Sequence, residues 1–208
     1  ASNGPNGVIT PVGAVGVACG ADQAFTIVAN AGFGIDDVLV DNVSVGPVGS
    51  YTFTTVTANH TIHATFKDIL CPDVTVTAPN GGEDWIIGMA VNLNWTATDN
   101  VGVTCVDILL SRTGAGGPFT ALATCIPNSG TFAWNVVGPA TTNAVIRVVG
   151  HDAAGNSCYD DSDAEFTIME FVVPVLLSRF QANAVDGGVE LRWAMTDNTL
   201  FTRTGIER

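Results

Sequence analysis

Apolar residues in this chain come in runs too short and too often interrupted to make helices, and that punctuation constrains the fold more than any other feature. Stretches rich in Val, Thr, Ile and Phe are separated by Gly, Pro, Asn and Asp, and no convincing amphipathic helix exceeds two turns. Branching at Cβ stiffens χ1 in Val and Thr and suits both to a pleated surface. The 23 Gly and 9 Pro fall mostly between the apolar runs, where turns belong. The clearest alternation is His60-Thr-Ile-His-Ala-Thr-Phe66, which puts Ile62, Ala64 and Phe66 on one face. The chain reads as all-β.

Charge narrows the function. Acidic residues number 20 against 7 Lys plus Arg, a formal charge of −13, and Lys occurs once, at Lys67. Nucleic-acid binding needs clustered cations to neutralise phosphates, so it is excluded as a partner class. Charged residues make up 13% of the chain and apolar ones 47%, whereas a disordered acidic tail is rich in charge and poor in apolar residues. A membrane-spanning helix needs about 18 consecutive apolar residues, and stretches such as 113–146 are broken by Pro, Gly, Asn and Thr. No signal peptide is visible at Ala1; either it has been removed or the chain is a piece of a longer protein. At roughly 150 residues per domain, a chain of 208 residues holds one or two domains, or three small ones.

Residues 1–69 form a first unit, with strands expected at Gly7 to Thr10, Ala24 to Ala29, Val38 to Val40, Tyr51 to Val56 and Thr61 to Phe66. Seven sub-motifs occur in order: Gly7-Val-Ile-Thr-Pro-Val-Gly13, Gln23-Ala-Phe-Thr-Ile27, Asn30-Ala-Gly-Phe33, Val38-Leu-Val-Asp41, Tyr51-Thr-Phe-Thr54, Ala58-Asn-His-Thr-Ile62 and Ala64-Thr-Phe66. Their order resembles the divergent internalin B-repeat family, small β-grasp-like modules strung along bacterial surface proteins. That family usually carries Gly after the Val-Asp pair. Here Asn42 stands there, in keeping with a position tolerant of positive φ.

Residues 70–168 have the length and strand spacing of an immunoglobulin-like β-sandwich. Strands are expected at Val74 to Ala78, Val91 to Ala97, Val103 to Leu110, Phe119 to Thr124, Thr131 to Val136, Ala144 to Val149 and Ala164 to Ile168. Pro79-Asn-Gly-Gly-Glu83, Asn94-Trp95, Asp99-Asn-Val-Gly-Val103 and His151-Asp-Ala-Ala-Gly-Asn156 resemble Ig-like modules of secreted bacterial proteins.

In residues 171–208, Val172 to Leu177, Val189 to Trp193 and Gly205 to Arg208 look like the first three strands of a fibronectin type III-like module. Leu177-Ser-Arg-Phe-Gln-Ala182 followed by Gly188-Val-Glu-Leu-Arg-Trp193 carries that resemblance. Three strands cannot cover both faces of a sheet. Val172, Val173, Val175, Leu176, Leu177, Leu191 and Trp193 are therefore expected to form an apolar face that docks onto another subunit, unless the missing strands follow Arg208.

Chemistry-bearing residues are few. His60, His63 and His151 lie in none of the common zinc, nucleophile-elbow or phosphate-loop motifs, so no catalytic residue is assigned. His60 and His63 should point to opposite faces of a strand and cannot jointly grip a metal. Asp99, Asp152, Asp160, Asp161 and Asp163 should meet at one pole of the sandwich, where carboxylates and turn carbonyls could hold Ca²⁺. Turn geometry, with Asp and Asn bonding their own backbone, is the preferred account of the same residues, and no other cofactor is implied. Trp95 and Trp193 alternate with polar neighbours and read as core residues rather than a sugar-stacking platform. Lys67, beside Asp68 at a domain boundary, reads as an exposed Lys rather than one end of an isopeptide bond.

The five cysteines are Cys19, Cys71, Cys105, Cys125 and Cys158. A hairpin centred near Ala115 would set Cys105 opposite Cys125, and Cys71 and Cys158 should share a pole, leaving Cys19 over. Together these features point to a non-enzymatic extracellular structural protein: a bacterial surface stalk, adhesin or filament subunit that self-associates. The alternative is an accessory region of a larger secreted hydrolase; a carbohydrate-binding module ranks third because aromatic residues are scarce.

Overall fold

The computed structural model describes residues 1–171, 177–195 and 200–204, and among them every regular element is a strand. Two compact units divide the chain, 1–169 and 170–208, and the first contains two separate hydrophobic cores.

The first core is built by β1 (Ser2–Asn3), β2 (Gly7–Thr10), β3 (Gln23–Ala29), β4 (Phe33–Val40), β5 (Val43–Ser44), β6 (Ser50–Phe53) and β7 (Ile62–Asp68). They form one sheet in the order β1-β7-β4-β5 and another in the order β2-β3-β6. Period-two alternation decides what each sheet buries. Ile9, Phe25 and Ile27 from one sheet meet Val38, Val40, Ile62 and Ala64 from the other. Val8 and Val28, one step out of phase, are half exposed at 50% and 53%. The β4–β5 hairpin turns on Asp41 and Asn42, both at positive φ (51° and 66°), with Val40 paired to Val43. Two successive positive φ values are what a two-residue hairpin turn demands, and Asn and Asp tolerate them best among side-chain-bearing residues. A bulge between Ile35 and Asp37 turns Asp36 out of register, where it meets Lys67 at 3.6 Å in an exposed ion pair.

The second core lies between two sheets. One contains β8 (Asp73–Ala78), β10 (Ala90–Thr98) and β13 (Thr131–Asn135). The other contains β9 (Asp84–Ile86), β11 (Val103–Ser111), β12 (Phe119–Ile126), β14 (Thr141–Asp152), β15 (Ser157–Asp161) and β16 (Phe166–Met169). Val76, Leu93 and Trp95 on one side face Val106, Ile108, Ile146, Val148, Phe166 and Ile168 on the other, all buried. This is a sandwich held by two inward faces. Trp95 is 3% exposed, and its indole N–H donates to Asn128 Oδ1 at 2.9 Å, so the core placement satisfies its one polar atom.

Within the sandwich, two strands escape the sequence pattern. β9 has only three residues and pairs in parallel with β16, and β15 is a polar strand on the end of β14. Neither has an apolar period to read; pairing alone makes them strands. Beside β15, Gly150 admits the neighbouring sheet: a Cβ there would sit 2.9 Å from Val74 Cγ2 and 3.0 Å from Pro72 Cβ.

In the second unit, β17 (Leu177–Val185), β18 (Gly188–Met195) and β19 (Leu200–Thr204) form an antiparallel meander turning at Asp186-Gly187. The first strand thus begins where the expected one was to end. Val172, Val173, Val175 and Leu176, like the expected closing strand at 205–208, lie outside the described residues, as do the side chains of Leu177 and Trp193. Leu191 is half-buried, while Phe180, Val185 and Val189 are exposed.

A carboxylate cluster between the two cores

β7 carries Ile62, Ala64 and Phe66 on its inward face, and the next residue in that phase is Asp68. A carboxylate is thereby delivered to a buried position, 7% exposed, at the end of the first core. Its Oδ1 accepts the Leu70 N–H at 3.3 Å and the Asn100 amide at 2.9 Å. Its Oδ2 is buried and has no hydrogen-bond partner among the described residues. Buried polar atoms are nearly always paired, so an unpaired carboxylate oxygen is costly unless something supplies its partner.

Two further acids converge on it from the sandwich. Asp99 begins the β10–β11 turn, half-buried, and its Oδ1 accepts the Val101 N–H at 3.1 Å. Asp152 ends β14, 6% exposed, and accepts from Asn156 twice, the N–H at 2.8 Å and the side-chain amide at 2.7 Å. One oxygen from each of Asp68, Asp99 and Asp152 lies within 4.8 Å of the others. Burial works against the Asp152 charge. Hydrogen bonds from the Asn156 side chain and backbone and the Gly155 backbone nonetheless hold its pKa below the ordinary carboxylate value. Two full charges 4.8 Å apart repel by about 3.5 kcal/mol at an effective dielectric near 20, a cost that a proton or a cation between the carboxylates would relieve.

The connector around the cluster is tightly held. Gly32, at φ 85°, accepts the Ile69 N–H through its carbonyl at 3.1 Å, and a Cβ there would lie 3.0 Å from Leu70 Cδ1. The Asn156 side-chain amide also reaches the Asp68 carbonyl at 3.4 Å. The disulfide Cys71–Cys158 then fastens the connector to β15, with Cα atoms 5.5 Å apart. The second disulfide, Cys105–Cys125, crosses β11 and β12 with Cα atoms 4.8 Å apart, and Cys19 is exposed and outside both bridges. The β11–β12 register pairs Leu110 with Thr120, as a centre at residue 115 requires, then slips through two bulges, leaving Cys125 at φ 44°.

The structure corrects the expected acidic set. Asp99 and Asp152 do meet, but their third partner is Asp68, and Asp160, Asp161 and Asp163 are engaged elsewhere. Asp160 accepts the Val76 N–H at 2.8 Å, and Asp163 exchanges hydrogen bonds with Asn80 at 2.6 and 2.8 Å. Asp161 pairs with the Arg147 guanidinium through two bonds of 2.7 and 2.8 Å, and the Phe119 and Tyr159 rings lie over that guanidinium at 4.0 and 3.9 Å. The reason is β15. A strand running back along β14 carries each residue about 3.3 Å farther from the pole where Asp152 sits.

The histidines are dispersed: His60 pairs with Asp41 at 2.7 Å, His63 with Ser2 at 2.8 Å and His151 with Asp107 at 3.0 Å. A cleft of about 280 Å³ beside the first core is lined by Val15, Phe25, Phe53 and His60, with His60 stacked on Phe53. No helix among the described residues is long and apolar enough to cross a membrane.

No family model matches the sequence, and no curated protein matches it either. Solved structures do. The fibronectin(III)-like modules of Clostridium thermocellum CbhA align at 13% identity over 78% of this chain and 95% of theirs, with a TM-score of 0.42. A Ca²⁺-stabilized adhesin that helps an Antarctic bacterium reach out and bind ice aligns at 14% identity over 86% of this chain and 53% of that one, with a TM-score of 0.31. Both are loose superpositions, and neither transfers a ligand or a role to this chain.

Proposed function

We propose that the chain is a non-enzymatic, extracellular structural segment, a pair of serial β-modules from a surface stalk or adhesin followed by the meander of β17, β18 and β19. The observation that carries this reading is the junction: two β cores joined through a buried, hydrogen-bonded Asp68 and a connector fastened by Cys71–Cys158. A linker so restrained transmits force and orientation from one module to the next, as a stalk requires. Two disulfides favour an oxidising compartment outside the cytoplasm. Residues 1–69 are read as internalin B-repeat-like, supported by Asn42 at φ 66° where that family usually has Gly. Self-association through the C-terminal meander completes the proposal.

Negative-stain microscopy of the native material tests it. Thin projections or filaments at the cell surface are expected, and deletion of residues 171–208 should abolish polymer while leaving residues 1–169 folded. Monodisperse particles that co-purify with glycan hydrolysis would overturn the stalk reading in favour of an accessory region of a secreted hydrolase.

A further inference from the structure

The geometry points to a binding site for a hard divalent cation of the Ca²⁺ class, formed by Asp68, Asp99 and Asp152, that clamps the first β core to the second. Three facts converge. Oxygens of the three carboxylates lie within 4.8 Å of one another. Asp68 is only 7% exposed, and among the described residues its Oδ2 has no hydrogen-bond partner although its Oδ1 has two. Both asparagines at the site turn their amide N–H groups onto carboxylate oxygens, Asn100 onto Asp68 and Asn156 onto Asp152, so the acids are held in place rather than left to swing.

Donor chemistry selects the ion. All three ligands are carboxylates, with no thiolate or imidazole among them, which suits Ca²⁺ or Mg²⁺ and not Zn²⁺ or Cu²⁺. Ca²⁺ accepts six to eight oxygens in loose geometry, with carbonyls and water completing the shell, whereas Mg²⁺ demands a near-ideal octahedron. Acids contributed by a strand end, a turn and a second strand end, from three separate parts of the chain, fit the tolerant ion better. Asp68 belongs to the first core and Asp99 and Asp152 to the second, so occupancy ties the modules together whatever the full protein does with them. The inference does not depend on the stalk reading.

Calorimetric titration of the disulfide-intact chain with Ca²⁺, Mg²⁺ and Zn²⁺, each alone, together with melting in chelator and in Ca²⁺, tests the site. One Ca²⁺ per chain is expected, with melting raised by about 5–10 °C when Ca²⁺ is 100-fold above its Kd. D99N should abolish the rise. That residue sits half-buried in a turn, so the variant remains informative if D68N fails to fold. D163N, away from the cluster, should respond like the parent. Limited proteolysis at residues 69–71 should slow on adding Ca²⁺ in the parent and not in D99N, which reads the clamp itself. An unchanged melting curve in Ca²⁺ and chelator, tighter binding of Zn²⁺ than of Ca²⁺, or a D99N variant that still binds Ca²⁺ would each overturn the assignment.

Discussion

Removing the two disulfides one at a time should cost unequal amounts, and the inequality follows from chain connectivity. Cys71–Cys158 joins residues 87 apart and Cys105–Cys125 residues 20 apart, and both lie within the sandwich, so one unfolding transition reports on both. A cross-link removes loop entropy from the unfolded chain as the logarithm of loop length. That works out to about 4.6 kcal/mol for the long loop and about 3.3 kcal/mol for the short one. The comparison is C71A/C158A against C105A/C125A, both in a Cys19→Ser background so that the spare thiol cannot reshuffle bridges. Urea unfolding should show the first pair less stable by about 1.3 kcal/mol, and melting should separate them by about 3–5 °C. The sign is set by the native side as well, because Cys71 also fastens the connector that positions Asp68. Equal losses, or a larger loss for C105A/C125A, would show that loop closure does not govern these bridges.

Other outcomes follow from packing and charge. Leu93→Ala, at a position with no exposure, should cost about 2–5 kcal/mol, while Val8→Ala, half exposed on the outer face of β2, should change stability by about 0.5 kcal/mol or less. Similar losses at both would contradict the assigned inward faces. Gly150→Ala should destabilise by about 1–3 kcal/mol in urea, since its Cβ would press on Val74 and Pro72; a neutral variant would mean the two sheets are not that close. The Asp41 carboxyl is held below its ordinary pKa, first by the His60 side chain and then by the Thr61 N–H. A depressed folded pKa stabilises above the unfolded carboxylate value, near about 3.9, and that contribution is lost as pH falls through the folded value. NMR titration of Asp41 should give a midpoint below that of a model carboxylate, moving upward in His60→Phe; an unmoved midpoint would remove His60 as the cause.

Much of the fold was legible because a strand writes its burial into a period of two. The run ending at Phe66 placed Ile62 and Ala64 in a core, and Asn94-Trp95 placed the indole inside the sandwich. β9 and β15 were not legible. They are short, lie at sheet margins, and become strands through the partners they meet. Without a period that marks β15, Asp160, Asp161 and Asp163 read as loop residues that gather at one pole, whereas the strand and the chain that follows it carry them away from that pole. Asp68 did leave a signal: it follows Ile62, Ala64 and Phe66 in the inward phase of β7, a carboxylate where the pattern calls for an apolar residue.

By itself, then, the sequence determined the class of structure and the inward faces of the longer strands, because backbone stiffness and alternation act over a few neighbouring residues. Only the tertiary structure decided that Asp68 should meet Asp99 and Asp152. Those residues lie 31 and 84 positions away along the chain. Their approach depends on where β7 ends against the β10–β11 turn and on a connector fixed by Gly32 and Cys71–Cys158. Repulsion among like charges acts through space, and no local pattern records which distant acids the fold will force together.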